Sequence, residues 1–169
     1  ANLKAEAAWT NKAAAMNFKA LAMTDHGNMF GTVEFYQAAK KRGLKAIIGC
    51  EVYVAPGSRL DKKQGTGGMR DVYNHLVLLA RNEVGYKNLV KLVTAANLEG
   101  YYYKPRIDKE LLSRHAEGLI GLSGCLASEV PEMIIKDQPD RARAAIDWFK
   151  QVLGPENFYL ELQNHGIPE

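Results

Sequence analysis

Two rhythms of apolar and polar residues alternate along this chain, and the changes between them mark its elements. Residues 2–16 are rich in Ala, Leu and Lys, with Leu3, Ala7, Ala8 and Trp9 placed for one apolar face, which predicts a helix. Asn17 suits a left-handed helix end. Residues 20–23 read as a short buried strand that runs out into Thr24, Asp25, His26, Gly27 and Asn28. A second helix fits 31–42 and closes at Gly43. The apolar, β-branched run 46–54 is a strand stopped by Pro56, and 57–71 is a long polar, Gly-rich loop. A strand over 75–80 and a helix over 84–98 follow. After the connection 101–106, Asp108 is placed to cap a helix through His115. Residues 118–122 are a short strand, 128–136 and 139–153 are helices, and 158–162 is a last strand.

Strands spaced by helices imply a mainly parallel sheet, because parallel neighbours need crossover connections. The expected class is therefore α/β, and an open doubly wound sheet or part of a barrel both fit. The length of 169 residues suits one domain. At 47% hydrophobic and 24% charged, the composition is that of a soluble globular chain. No apolar run approaches the roughly 20 residues of a membrane helix, so no membrane partner is expected. The formal charge of +3 is too mild to argue for nucleic acid by itself. Cys50 and Cys125 lie far apart and form no CxxC pair, which points to a reducing, cytoplasmic setting.

Candidate chemistry gathers near the predicted strand ends. His26 follows the first strand, Glu51 lies in the second, His75 opens the third, Cys125 follows the fourth, Glu161 lies in the last and His165 follows it. Imidazole, carboxylate and thiolate are ligands for transition metals. Each has a plainer reading: a hydrogen-bonded structural histidine, a small buried thiol, a glutamate paired with lysine. His115, at a helix end, is explained by the helix dipole. No compact HExxH spacing, phosphate loop, dinucleotide fingerprint or nucleophile elbow is present. Arg59, Lys62, Lys63 and Arg70, set against Asp61 and Asp71 in the long loop, read either as a solvated loop or as a contact to DNA or a partner. Tyr101, Tyr102 and Tyr103 read either as rim packing or as stacking groups for bases.

Longer strings sharpen this picture. Residues 22–31 (AMTDHGNMFG), 48–54 (IGCEVYV), 74–80 (NHLVLLA) and 122–126 (LSGCL) resemble successive motifs of the PHP (polymerase and histidinol phosphatase) domain. Together with 101–106 and 158–166, they resemble the branch found in the alpha subunit of bacterial DNA polymerase III rather than the stand-alone phosphatases. The resemblance implies a distorted (β/α)₇ barrel with up to three divalent ions (Zn, Mn or Mg) at its mouth. It makes His26, Glu51, His75 and Cys125 metal ligands, with Glu51 bridging two ions and Glu51 and His75 carrying the catalysis. Asp25 would orient a neighbour, and the resemblance assigns no ligand role to Glu161 or His165. A family strand with a His-x-His motif and a later Asp-x-His motif fall outside residues 1–169. The expectation is therefore a single incomplete domain lacking the first and the last barrel strand.

For function, the resemblance implies metal-dependent 3′–5′ exonuclease chemistry beside a DNA-directed DNA polymerase. DNA, the remaining domains of the alpha subunit, a proofreading exonuclease subunit and other replicase subunits are the implied partners. A non-catalytic scaffold that docks that exonuclease subunit is the alternative, and a histidinol-phosphatase-like phosphoesterase a weaker one.

Overall fold

The computed structural model describes residues 3–62, 72–164 and 166. The chain runs α1 (Leu3–Ala15), β1 (Ala20–His26), α2 (Thr32–Lys41), β2 (Lys45–Val54), β3 (Asn74–Ala80), α3 (Glu83–Leu98), β4 (Arg106–Ile107), α4 (Lys109–Arg114), β5 (Leu119–Leu122), α5 (Glu129–Ile135), α6 (Pro139–Leu153) and β6 (Phe158–Tyr159). The fold is α/β. One six-stranded sheet has the order β1-β2-β3-β5-β6, with β4 paired to the end of β2. The pairs β1–β2, β2–β4 and β5–β6 are parallel. Among the described residues β1 and β6 do not pair with each other, so the sheet is an open segment consistent with part of a PHP barrel.

Strand β3 departs from the parallel pattern and runs antiparallel to both β2 and β5. The cause is the connection before it. Every other adjacent pair in the sheet order is joined through a helix, but 55–73 returns the chain with no helix among its described residues. The described ends of this connection deliver the chain to the neighbouring edge in the opposite direction, and the pairing with β2 is antiparallel. The middle of the expected 57–71 loop, with Lys63, Arg70 and Asp71, lies outside the described residues.

Strand alternation divides the sheet into two faces. Cys50, Val52 and Val54 of β2 and Leu76 and Leu78 of β3 pack into one core with Leu89, Leu92 and Ala96 of α3. Ile107, Leu112, Leu119, Phe149 and Phe158 complete that core. The Phe149 and Phe158 rings stack at 4.9 Å. A smaller cluster of Ala13, Ala39 and Leu44 seats α1 and α2 beside Leu21 and Ala46. The intervening residues Gly49, Glu51, Tyr53, His75 and Val77 turn to the other face. Asn17 and Gly43 take the expected left-handed backbone angles (φ 58° and 70°), and the Asp108 carboxylate accepts the Leu111 N–H that opens α4. The expected apolar face of α1 does not hold, because Trp9 is 65% exposed and α1 packs inward through Thr10 and Ala13.

Two buried arginines fix the described ends of the long connection. Arg59 donates from its backbone and guanidinium to Asp108 (2.8 and 3.1 Å) and from its guanidinium to Glu99 (2.6 Å). Arg106 donates to the carbonyls of Gly100, Val72, Arg59 and Asp61. Asp108 is 2% exposed and Arg106 is 2% exposed, so these are interior contacts. Arg59, read in the sequence as a loop cation, is spent on structure.

Candidate metal centre

His26, Glu51 and His75 converge because of register. In the parallel β1–β2 pair His26 lies opposite Glu51, and in the antiparallel β2–β3 pair Tyr53 lies opposite His75. Strand β1 therefore continues through Thr24, Asp25 and His26, further than the expected end at residue 23. Because β3 is antiparallel, a residue at its amino end meets residues at the carboxyl ends of β1 and β2. One ligand-type atom from each of the three side chains falls within 4.8 Å of the others.

Glu51 is the hub. Its Oε1 lies 3.3 Å from His26 Nε2 and in direct contact with His75 Nδ1. The His75 hydrogen bond draws the Glu51 carboxyl below its ordinary value, against a desolvation penalty, with help from the charges of His26 and His75. The carboxylate is thus ionised and aimed between two imidazoles. The His26 and His75 rings meet edge to face at 5.9 Å. His26 stands open at 62% side-chain exposure while His75 and Glu51 are largely enclosed (17% and 16%), which leaves one side of the cluster open to solvent.

Cys125, on the turn after β5, stands further out. Its Sγ is 3.6 Å from His75 Nδ1, but it is not one of the three residues whose donor atoms group within 4.8 Å. Of the four expected ligands the structure therefore clusters three and places the fourth beside one of them. Asp25 alternates to the opposite face, where it lies across from Cys50. Burial pushes the Cys50 thiol up to about 12, to which the Asp25 charge also contributes, and Cys50 donates to the Asp25 carbonyl at 3.3 Å. That thiol is an inert part of the core. Glu161 follows the short strand β6, donating its backbone N–H to Ser123 Oγ at 2.8 Å and accepting from Gln163. The expected strand over 158–162 thus shortens to Phe158–Tyr159. His165 lies outside the described residues. His115 does sit at the end of α4, but burial, with Lys91 and Arg114 adding, lowers its pKa, opposite to what a dominant helix dipole would do.

Aromatic rings hold His75 in place. Tyr53 meets it edge-on at 5.2 Å, Tyr73 stacks on it at 5.9 Å, and the two tyrosines touch at 4.8 Å. Strand alternation could have flagged Tyr53, two residues from Glu51 on the same face. Nothing local marks Tyr73, which arrives from the end of the long connection. Gly27, directly after His26, has φ +69°, and a Cβ there would lie 2.8 Å from both Tyr53 and Pro105. A glycine is needed to bring these walls together.

The donor set fits a divalent transition ion. Two imidazoles and an ionised carboxylate share one focus, with a thiol alongside, and these are side chains that take such an ion.

An α/β sheet with His and carboxylate donors gathered at one end of its strands agrees with what the PHP resemblance implies, and the chain belongs to that family: the PHP domain model matches residues 7–165. It is 54% identical over 150 residues to the DNA polymerase III subunit alpha of Thermus aquaticus, covering 89% of this chain and 12% of that relative. Against the same subunit of Treponema pallidum it is 49% identical over 151 residues (89% of this chain, 13% of the relative). Against that of Borreliella burgdorferi it is 49% identical over 159 residues (94% and 14%). The chain thus spans only between 12% and 14% of the length of these curated relatives. Among the described residues no helix is long and apolar enough to cross a membrane.

Proposed function

We propose that this chain is the metal-binding PHP module of a replicative DNA polymerase alpha subunit and that its metal centre hydrolyses phosphodiester bonds of DNA from the 3′ end, a proofreading reaction. The reading rests on the convergence of His26, Glu51 and His75 within 4.8 Å, with Cys125 in contact with His75. His26, Glu51, His75 and Cys125 would hold divalent ions, Glu51 bridging two of them. A bound ion supplies charge stabilisation at a phosphoryl oxygen and a water acidic enough to act near neutral pH. The chain's own residues do the rest. Glu51 is kept ionised, the Tyr53–Tyr73 pair fixes the His75 ring, and the exposed side at His26 admits the strand end.

The proposed setting is the bacterial cytoplasm, with DNA, the rest of the alpha subunit, a proofreading exonuclease subunit and other replicase subunits as partners. Polymerisation itself would belong to parts of the longer relatives that this chain does not cover. The test combines elemental analysis of the purified chain with release of a 3′-terminal label from a single-stranded oligonucleotide, with and without added Mn²⁺ or Zn²⁺. Metal-dependent release that disappears in Glu51→Gln is expected. Bound metal with no release in the wild type, and a melting temperature that falls on chelation, would overturn the hydrolytic reading in favour of a structural centre.

A further inference from the structure

Next to the metal centre the chain makes a turn that no part of the proposed chemistry uses. Tyr102 N–H donates to the Lys104 carbonyl at 3.0 Å, which leaves Tyr103 at the tip. Tyr103 holds φ 59°, in the left-handed region that aromatic residues rarely adopt. The strained tip is supported from below. The Tyr102 ring meets Tyr103 edge-on at 4.6 Å, and the Arg106 guanidinium, itself locked by four carbonyls, lies 5.1 Å from the Tyr102 ring. The result is a firmly based tyrosine displayed at 52% exposure.

Lys104 follows directly. Its Nζ sits 5.6 Å from the Tyr53 ring centroid, and Tyr53 is the ring that packs on His75. Pro105 in turn lies against Gly27, beside His26. A cation is therefore held on the wall of the metal centre, two ring contacts from a proposed ligand. Lys87, Lys109 and Lys136 each hold a carboxylate. Among the described residues, Lys104 has none within salt-bridge distance. Local strain maintained by surrounding structure, at a site rim, is a pattern associated with function.

We infer that the Tyr103–Lys104 turn is a substrate-holding subsite for a nucleic-acid strand. Lys104 takes a backbone phosphate next to the bond being cleaved, and Tyr103 stacks a base. This deepens the hydrolytic reading above, on which it rests for its choice of strand. A cation beside an exposed aromatic is the pairing that single-stranded nucleic acid uses, because every base offers a π-face and every nucleotide a phosphate.

The test is fluorescence anisotropy of the full chain with a labelled single-stranded deoxyoligonucleotide ending in phosphorothioates, titrated over a range of salt. Lys104→Gln should weaken binding and flatten the slope of log affinity against log salt by about 0.7, the value of one phosphate contact on a single strand. The control Lys87→Gln, on α3 and paired with Glu83, should leave the slope alone. Tyr103→Gly should raise the melting temperature, by releasing the left-handed strain, and yet lower affinity by at least about fivefold. Wild-type affinity and slope in Lys104→Gln, or wild-type affinity in Tyr103→Gly, would overturn the subsite. So would failure of the wild type to bind. Release of a 3′ label is read separately. Binding that depends on Lys104 without hydrolysis removes the catalytic reading and keeps the subsite, whereas hydrolysis with binding indifferent to Lys104 removes the subsite alone.

Discussion

Replacing Asp108 with Ala should destabilise the chain by about 4 kcal/mol. Asp108 is 2% exposed, and its carboxylate accepts from the Leu111 N–H, the Arg59 N–H and the Arg59 guanidinium. Loss of the helix cap costs about 1 kcal/mol. Removing one partner of a buried ion pair costs roughly 3–5 kcal/mol. The lower end applies here, because Arg59 keeps its bond to the half-exposed Glu99 at 2.6 Å. Asp108→Asn can keep the bond to Leu111, so its loss should be near half as large, about 2 kcal/mol. Set against a typical total of 5–15 kcal/mol, the alanine change is large. Urea unfolding followed by circular dichroism measures it, and a loss below about 1 kcal/mol for Asp108→Ala would refute the assigned role of this pair. Acid supplies a second check. Burial works against the Asp108 carboxylate, but the hydrogen bonds from Arg59 and Leu111 and the Arg59 charge outweigh it and hold the carboxyl below its ordinary value. A depressed folded value means that the stabilisation is complete above the unfolded value of about 3.9 and is lost as pH falls through the folded one. The wild type should therefore lose stability over that acid range more steeply than Asp108→Asn does.

Other outcomes follow from the same geometry. Glu51→Gln should lower bound metal by at least tenfold at equal free concentration, since it removes the charge shared by His26 and His75; inductively coupled plasma analysis after dialysis reads this directly, and full occupancy would contradict it. In native, metal-free protein one thiol should react quickly with a disulfide reagent: Cys125, which is partly exposed, and not the fully buried Cys50. Added zinc should protect Cys125, and mass mapping of the labelled residue decides. Gly85→Ala should cost upwards of about 3 kcal/mol or prevent soluble expression, because a Cβ there would lie 1.8 Å from the Gly118 carbonyl; an unfolding midpoint like the wild type's would show that α3 and the Gly118 turn can separate.

The helices were legible in the sequence because their signals are local: an Asn at a left-handed end, an Asp cap, and a 3.6-residue apolar period in α6 that the structure reproduces at Pro139–Leu153. The parallel pairing of β1 with β2 also follows from the helix between them. The direction of β3 was not legible, because it depends on where a long loop delivers the chain. Strand β1 outruns its apolar stretch for a different reason. Thr24, Asp25 and His26 look like loop residues, yet they extend the strand by pairing with Gly49, Cys50 and Glu51 of β2. The convergence of His26, Glu51 and His75 could be suspected from strand ends, and Cys125 could not be placed more closely than beside them. Arg59 and Asp108 are 49 residues apart, so their bond had no sequence signature at all.

The antiparallel pairing of β2 with β3 also turns the centre into a gauge of strand register. Sliding β3 by a single residue would carry His75 to the helix-covered face and bring Asn74 or Leu76 in its stead. The loop ahead of it could gain or lose residues without that penalty, since its ends are clamped by Arg59 and Arg106 and not by its length. Insertions among relatives should therefore collect in that loop and stay out of the seven residues Asn74–Ala80. An ion held at full strength would certify that β2 and β3 have paired in step.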